Sequence, residues 1–101
     1  GVSELVYLPE ARLEVLEAVT YYHDCDPGGL AADFYRELKR AEEEILMQPE
    51  FWRPVGKCYR RKLLNRFPYG LVYHQLDNGV LEVVALTHLS RKPGYWHGRS
   101  R

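Results

Sequence analysis

The chain is 101 residues long, 46% apolar and 28% charged with a net charge of zero, proportions that suit one soluble globular domain able to bury about two-thirds of its unfolded surface. No stretch approaches the roughly 20 apolar residues that span a bilayer, and neither a basic-then-apolar leader nor a lipidation signal opens it, so a cytoplasmic address and no membrane partner are expected. The zero hides a segregation: residues 1–50 hold twelve carboxylates against four cations, a net of −8, and residues 51–101 hold ten cations against two carboxylates, a net of +8.

Gly1 stands where Met opens a natural chain, which points to a trimmed start or a tag remnant and leaves the true N-terminus open. Residues 3–8 read as a short strand ended by Pro9. From Glu10 to Asp24, Ala11, Val15, Ala18, Val19 and Tyr22 recur at helical spacing, while Glu10, Glu14 and Glu17 crowd the early turns, where the helix dipole favours anions. Asp26-Pro27 has the chemistry of an N-cap and first helical residue. After it Ala31, Phe34, Leu38, Ala41 and Ile45 step by three and four until Pro49 stops a second helix. So short a connection folds the two helices into a hairpin.

A loop over 50–56 carries Phe51 and Trp52, and strands are expected over 58–65, 69–76 and 80–88. Asn78-Gly79 signals a type I′ hairpin, which sets Leu76 opposite Leu81, Tyr73 opposite Val84, Leu71 opposite Leu86 and Tyr69 opposite His88. In that register Gly70, Val72, His74, Leu76, Leu81, Val83, Ala85 and Thr87 share the face expected to pack on the helices. Tyr69, Tyr73, Gln75, Glu82 and His88 fall on the more open face. The expected architecture is α+β in the order β-α-α-β-β-β. An acidic helical hairpin covers one face of a small antiparallel sheet, in a single domain over 1–101 with 98–101 a frayed tail.

The basic half also holds His74, His88 and His97 and eight of the thirteen aromatic residues. It reads in two ways: as a surface for a polyanion or an acidic protein partner, or as one of two halves that neutralise each other inside the fold. Arg60, Arg61 and Lys62 lie on the first strand of the meander, Arg66 near its end, and Arg91, Lys92 and Arg99 beyond its last strand. The start of the middle strand lies beside the end of the last, which brings Arg66, Tyr69, His88 and Arg91 towards one rim. Cations that stabilise phosphate, a histidine that moves a proton and a tyrosine that stacks on a base suit metal-free RNA cleavage by the 2′-hydroxyl. The plainer alternatives are solvated strand charges for Arg61 and Arg66 and a structural role for His88. Tyr95 and Trp96 either stack on a base or partner or close the sheet edge, and Glu42 to Glu44 form a solvated helix face. Cys25 and Cys58 lack metal or redox spacing and are expected as free thiols. A Gly-rich phosphate loop, a GxSxG elbow, an HExxH pair and a clustered acidic site are all missing, so neither metal nor cofactor is expected.

Taken together, Ala11, Ala18, Tyr21-Tyr22, Phe34, Pro49, the run RRKLLNRFPYGLVYHQ from Arg60 and the run ALTHLSRKPGYWHGR from Ala85 resemble the RelE/ParE family of toxins from bacterial type II toxin–antitoxin modules. The resemblance spans nearly the whole chain and is most specific in those two runs. It implies a small growth-arresting, plasmid-stabilising protein that is neutralised by a cognate antitoxin, a segment that folds on binding along the sheet edge and the helical groove. RelE-like members cleave ribosome-bound mRNA without metal; carried over, that branch puts catalysis on His88, Arg66, Arg91 and Tyr95. ParE-like members inhibit DNA gyrase by protein contact. The target-binding or RNA-binding set is then Arg60, Arg61, Lys62, Arg66, Tyr69, Tyr73, Arg91, Trp96 and Arg99. The paired lysines typical of RelE are missing, Lys57 and Lys62 being the nearest, which tips the reading to a protein target. A non-toxic RNA-binding or protein-binding domain is the third reading, and the sequence leaves the oligomeric state open.

Overall fold

In the computed structural model, which describes residues 4–99, the chain runs as β1 (Leu5–Tyr7), α1 (Pro9–Cys25), α2 (Leu30–Met47), β2 (Arg53–Val55), β3 (Tyr59–Leu63), β4 (Tyr69–Gln75) and β5 (Leu81–His88). Pro9 opens α1, where its missing N–H costs no hydrogen bond. Asp26 ends that helix instead of starting the next: its N–H bonds the Tyr22 carbonyl, and its carboxylate accepts the Gly28 N–H at 3.0 Å, an Asx turn that reverses the chain. Helix α2 therefore begins three residues later than Asp26-Pro27 suggested, after Gly29. Its buried stripe is Phe34, Leu38, Ala41 and Ile45, as the spacing required.

The sheet has the order β1-β5-β4-β3-β2. It is mixed where an antiparallel one was expected, because β1 runs parallel to β5 while the other pairs are antiparallel. The helical hairpin between them is what lets two parallel strands lie side by side. The presumed loop before the meander contributes the edge strand β2, whose Pro54 removes a donor from that edge.

The β4–β5 register is half as expected. Tyr69 faces His88 and Leu71 faces Leu86, but Tyr73 faces Val83 and Gln75 faces Leu81. At the turn, the Leu76 N–H bonds the Val80 carbonyl and the Gly79 N–H bonds the Leu76 carbonyl, so the loop has three residues with Gly79 at φ +91°. Asn78 stays out of the left-handed region, and its side chain accepts the Val80 N–H at 3.0 Å. The type I′ turn gives way to a G1-type loop, which shifts pairing by one residue. A bulge between Val72/Tyr73 and their β5 partners shifts it back, leaving Val84 as the extra residue.

That bulge decides the faces. It puts Leu81 and Val83 on the same side as Leu71, Tyr73 and Leu86, where they join Ala11, Ala18, Tyr22, Phe34, Leu38 and Ile45 under the helices. Val72, Val84 and Ala85 form a second cluster on the opposite face, closed by Trp96 with Tyr59 and Tyr95. On β4 the helices thus cover the face expected to be open, while Leu81 and Val83 of β5 lie under the helices as expected. The physical reason is volume: the side of β4 with Tyr69, Leu71 and Tyr73 has the large rings and branched chains that fill a helix–sheet core. The thin side, with Gly70, Val72 and Ala85, takes a flat cover. His74, an awkward residue for a helix-facing position, lies on that other side beside Tyr59 and reaches Glu82 at 2.8 Å.

Candidate functional site

Glu14 organises the C-terminal segment. It projects from α1 to the margin of β5 beyond the end of β1, where the strand's polar groups lose their neighbour, and its Oε1 accepts the Leu86 N–H at 3.1 Å. The Tyr95 hydroxyl donates to Oε2 at 2.9 Å. The Arg99 guanidinium meets both carboxylate oxygens at 2.9 and 3.2 Å, and also donates to the Val84 carbonyl, freed by the bulge, at 2.9 Å. Arg91 lies 3.5 Å from Oε2, with its guanidinium carbon 3.4 Å from the centre of the Tyr95 ring. Burial works against the charge on Arg99, but the bonded Glu14 carboxylate raises its pKa above the ordinary arginine value. Burial first, and then Glu14, raises Tyr95.

Arg91, Tyr95 and Arg99 are therefore fastened to a carboxylate, where the sequence had placed them in a catalytic or target-binding set. The tail expected to fray from residue 98 is anchored at Arg99, while residues 100–101 lie outside the described residues. Trp96 is a core residue, 2% exposed, and not a stacking platform. Tyr73 is buried beneath the helices with its hydroxyl donating to the Pro49 carbonyl at 2.6 Å. Burial pushes the Tyr73 pKa up to about 12. Arg60 donates to the Trp52 carbonyl at 2.9 Å, and Lys62 pairs with Glu44 at 3.0 Å over the Trp52 ring.

The expected rim does form at the level of the backbone. The Leu89 N–H bonds the Pro68 carbonyl, which joins the turn holding Arg66 to the turn holding His88 and Arg91. Tyr69 and His88 pair edge-to-face at 5.0 Å, though Tyr69 also leans on Phe34 and Tyr22 in the core. Arg66 has a φ of +72°, alone among the described non-glycine residues, and a solvent-exposed guanidinium 3.7 Å from Asp33. The backbone N–H of Ser90 donates to His88 Nδ1 at 3.1 Å, so the neutral ring carries its proton on Nε2. On the far side of the sheet, Arg61 shares a cleft of about 90 Å³ with Thr87, His88 and Arg91. Among the described residues no group of three or more His, Cys, Asp or Glu side chains is placed to hold a metal ion.

A larger hollow, about 630 Å³, runs between α1, α2 and β1, floored by Leu5, Val15, Val19, Leu38 and Leu46 and rimmed by Arg12, Lys39 and Glu42. Tyr7 spans it, donating to Glu42 at 2.5 Å, and burial together with that carboxylate holds its proton far above the ordinary tyrosine range. Leu13, Leu16 and Tyr35 are left about half exposed or more nearby. Nothing in the sequence marked Glu14 as the centre of this arrangement. Its only signal was an acid on the same helical stripe as Ala11 and Ala18.

Two helices on a five-stranded mixed sheet define an α+β fold, and that fold has known company. A solved chain from a structure described as the chromosomal ParDE TA system from P. aeruginosa superposes with a TM-score of 0.74 at 11% sequence identity, covering 85% of this chain and 95% of that one. The likeness is one of fold, of the kind the RelE/ParE resemblance implied. No family model and no curated protein matches the sequence.

Proposed function

We propose that the protein is the growth-arresting toxin of a toxin–antitoxin module, acting in the cytoplasm on a protein target without a catalytic site of its own, with DNA gyrase the first candidate. The fold supports the first half of this reading. The single observation that favours a protein target is the engagement of the cations that RNA cleavage needs. Arg91, Tyr95 and Arg99 converge on Glu14, Arg66 faces Asp33, and His88 Nδ1 accepts the Ser90 N–H.

The apolar hollow between α1, α2 and the unpaired edge of β1 suits the cognate antitoxin. An extended segment can add to the strand edge, and an amphipathic one can fill the floor between Val15 and Leu46. Induced expression in a bacterial host is expected to arrest growth, with arrest relieved by co-expression of the adjoining antitoxin frame. Unchecked growth at confirmed expression marks a non-toxic binding domain instead. Fragmented transcripts in a translating extract, lost in His88→Ala, establish the ribonuclease reading in place of this one.

A further inference from the structure

Arg61 differs from its cationic neighbours. Lys62, Arg66, Arg91 and Arg99 each lie within ion-pair distance of a carboxylate, whereas none of the described carboxylates pairs with Arg61. It is nonetheless partly buried, and its Nε is the one fully buried side-chain polar atom among the described residues without a hydrogen-bond partner. A half-buried guanidinium with an orphaned donor is costly, and an anion bound at its terminal nitrogens, which are not fully buried, offsets part of that cost. The Arg61 stem packs on Gly70: a β-carbon there would lie 3.0 Å from Arg61 Cγ and 3.1 Å from Cδ, so a larger residue requires the Arg61 chain to shift. The cleft it shares is lined by the polar Thr87, His88 and Arg91 and by the apolar Leu89, Pro93 and Trp96.

We propose that this cleft receives one carboxylate, from an acidic side chain of the protein target, with Arg61 as its principal cation and Gly70 as the residue that positions it. The inference deepens the protein-directed reading above and rests on it. The cleft of about 90 Å³ presents one guanidinium without a carboxylate partner, which matches a single carboxylate group. A polynucleotide needs a track of free cations along its backbone, and the flanking Arg91 and Arg99 are held by Glu14. The apolar part of the lining favours an acid set beside a hydrophobic residue.

The test is a titration of the full ¹⁵N-labelled chain, observed at the Arg61 side-chain Nε–H and at the Thr87 and His88 backbone amides, with acetyl-Glu-Leu-amide, acetyl-Gln-Leu-amide and a tetraribonucleotide. The expected result is a saturable shift with the glutamate peptide at least tenfold tighter than with the glutamine peptide, and lost in Arg61→Gln. In Gly70→Ala the Arg61 signal moves before any peptide is added, and affinity falls. Should that variant misfold, Arg61→Lys serves, since it keeps the charge, removes Nε and is expected to weaken binding in the same way. No saturable shift, equal binding of both peptides, or tighter binding of the oligonucleotide overturns the proposal. The titration reads neither growth nor gyrase, so a toxin that arrests growth with an indifferent cleft refutes this inference alone.

Discussion

Glu14 is 10% exposed and Arg99 17% at the side chain, so both members of the pair are sheltered from solvent, as in no other described pair of an arginine or lysine. Removing one member of such a pair leaves an uncompensated charge, and Glu14→Ala is expected to cost about 3 kcal/mol in urea unfolding, with Glu14→Gln costing less. Arg91, 54% exposed, stands at the edge of the same cluster, and Arg91→Ala is expected to cost under about 1 kcal/mol. Tyr73 gives a pH-dependent counterpart. Below its ordinary value of 10 the phenol is neutral in both states, and between there and about 12 the unfolded chain ionises while the folded one keeps its proton. Stability is therefore expected to fall as pH rises through that window. Tyr73→Phe lessens this alkaline limb, to which Tyr7 also contributes, in a pH series of unfolding curves, and at neutral pH costs about 1 kcal/mol for the lost bond to Pro49.

Among the elements, the β4–β5 hairpin shows how sequence patterns mislead locally and recover. Asn78-Gly79 located the turn correctly, but hairpin loops of two and three residues share that dipeptide, and only Gly79 takes a positive φ. Gly79→Ala is expected to cost about 1–2 kcal/mol. Asn78→Gly, stabilising in a true type I′ turn, is expected here to cost about 0.5–1 kcal/mol because it removes the acceptor of the Val80 N–H. The bulge at Val84 has no sequence signature, and it flips the alternation of β5 so that an inside-outside count assigns the wrong face to the helices. Helix α2, by contrast, was legible because one long stripe from Phe34 to Ile45 leaves no competing period. The C-terminal segment was illegible for a different reason: Tyr95, Trp96 and Arg99 look alike whether they recognise a partner or cover the molecule's own sheet. Trp96→Ala is expected to cost about 3–5 kcal/mol. Amide exchange supplies the local reading, with the Leu86 N–H losing protection in Glu14→Ala because its acceptor is gone.

Over the whole molecule, the opposed charges of the two halves turn inward as much as outward. Glu14 with Arg91 and Arg99, Asp33 with Arg66, and Glu44 with Lys62 all join an acidic helix to a basic segment of the second half. Of the two readings of that segregation, mutual neutralisation accounts for Lys62, Arg66, Arg91 and Arg99, and Arg61 is the half-buried cation proposed for recognition. The family resemblance and the order of elements, apart from the edge strand β2, could be read from the chain. The site could be read only in part, since side-chain partners drawn from residues 72 to 85 positions away leave no local trace. The proposed toxin works by contact with a protein, and the most direct measurement is the supercoiling of relaxed plasmid by purified DNA gyrase as this protein is titrated in. Dose-dependent loss of supercoiling is the expected result, whereas undiminished supercoiling by the same preparation that fragments mRNA in a translating extract contradicts it.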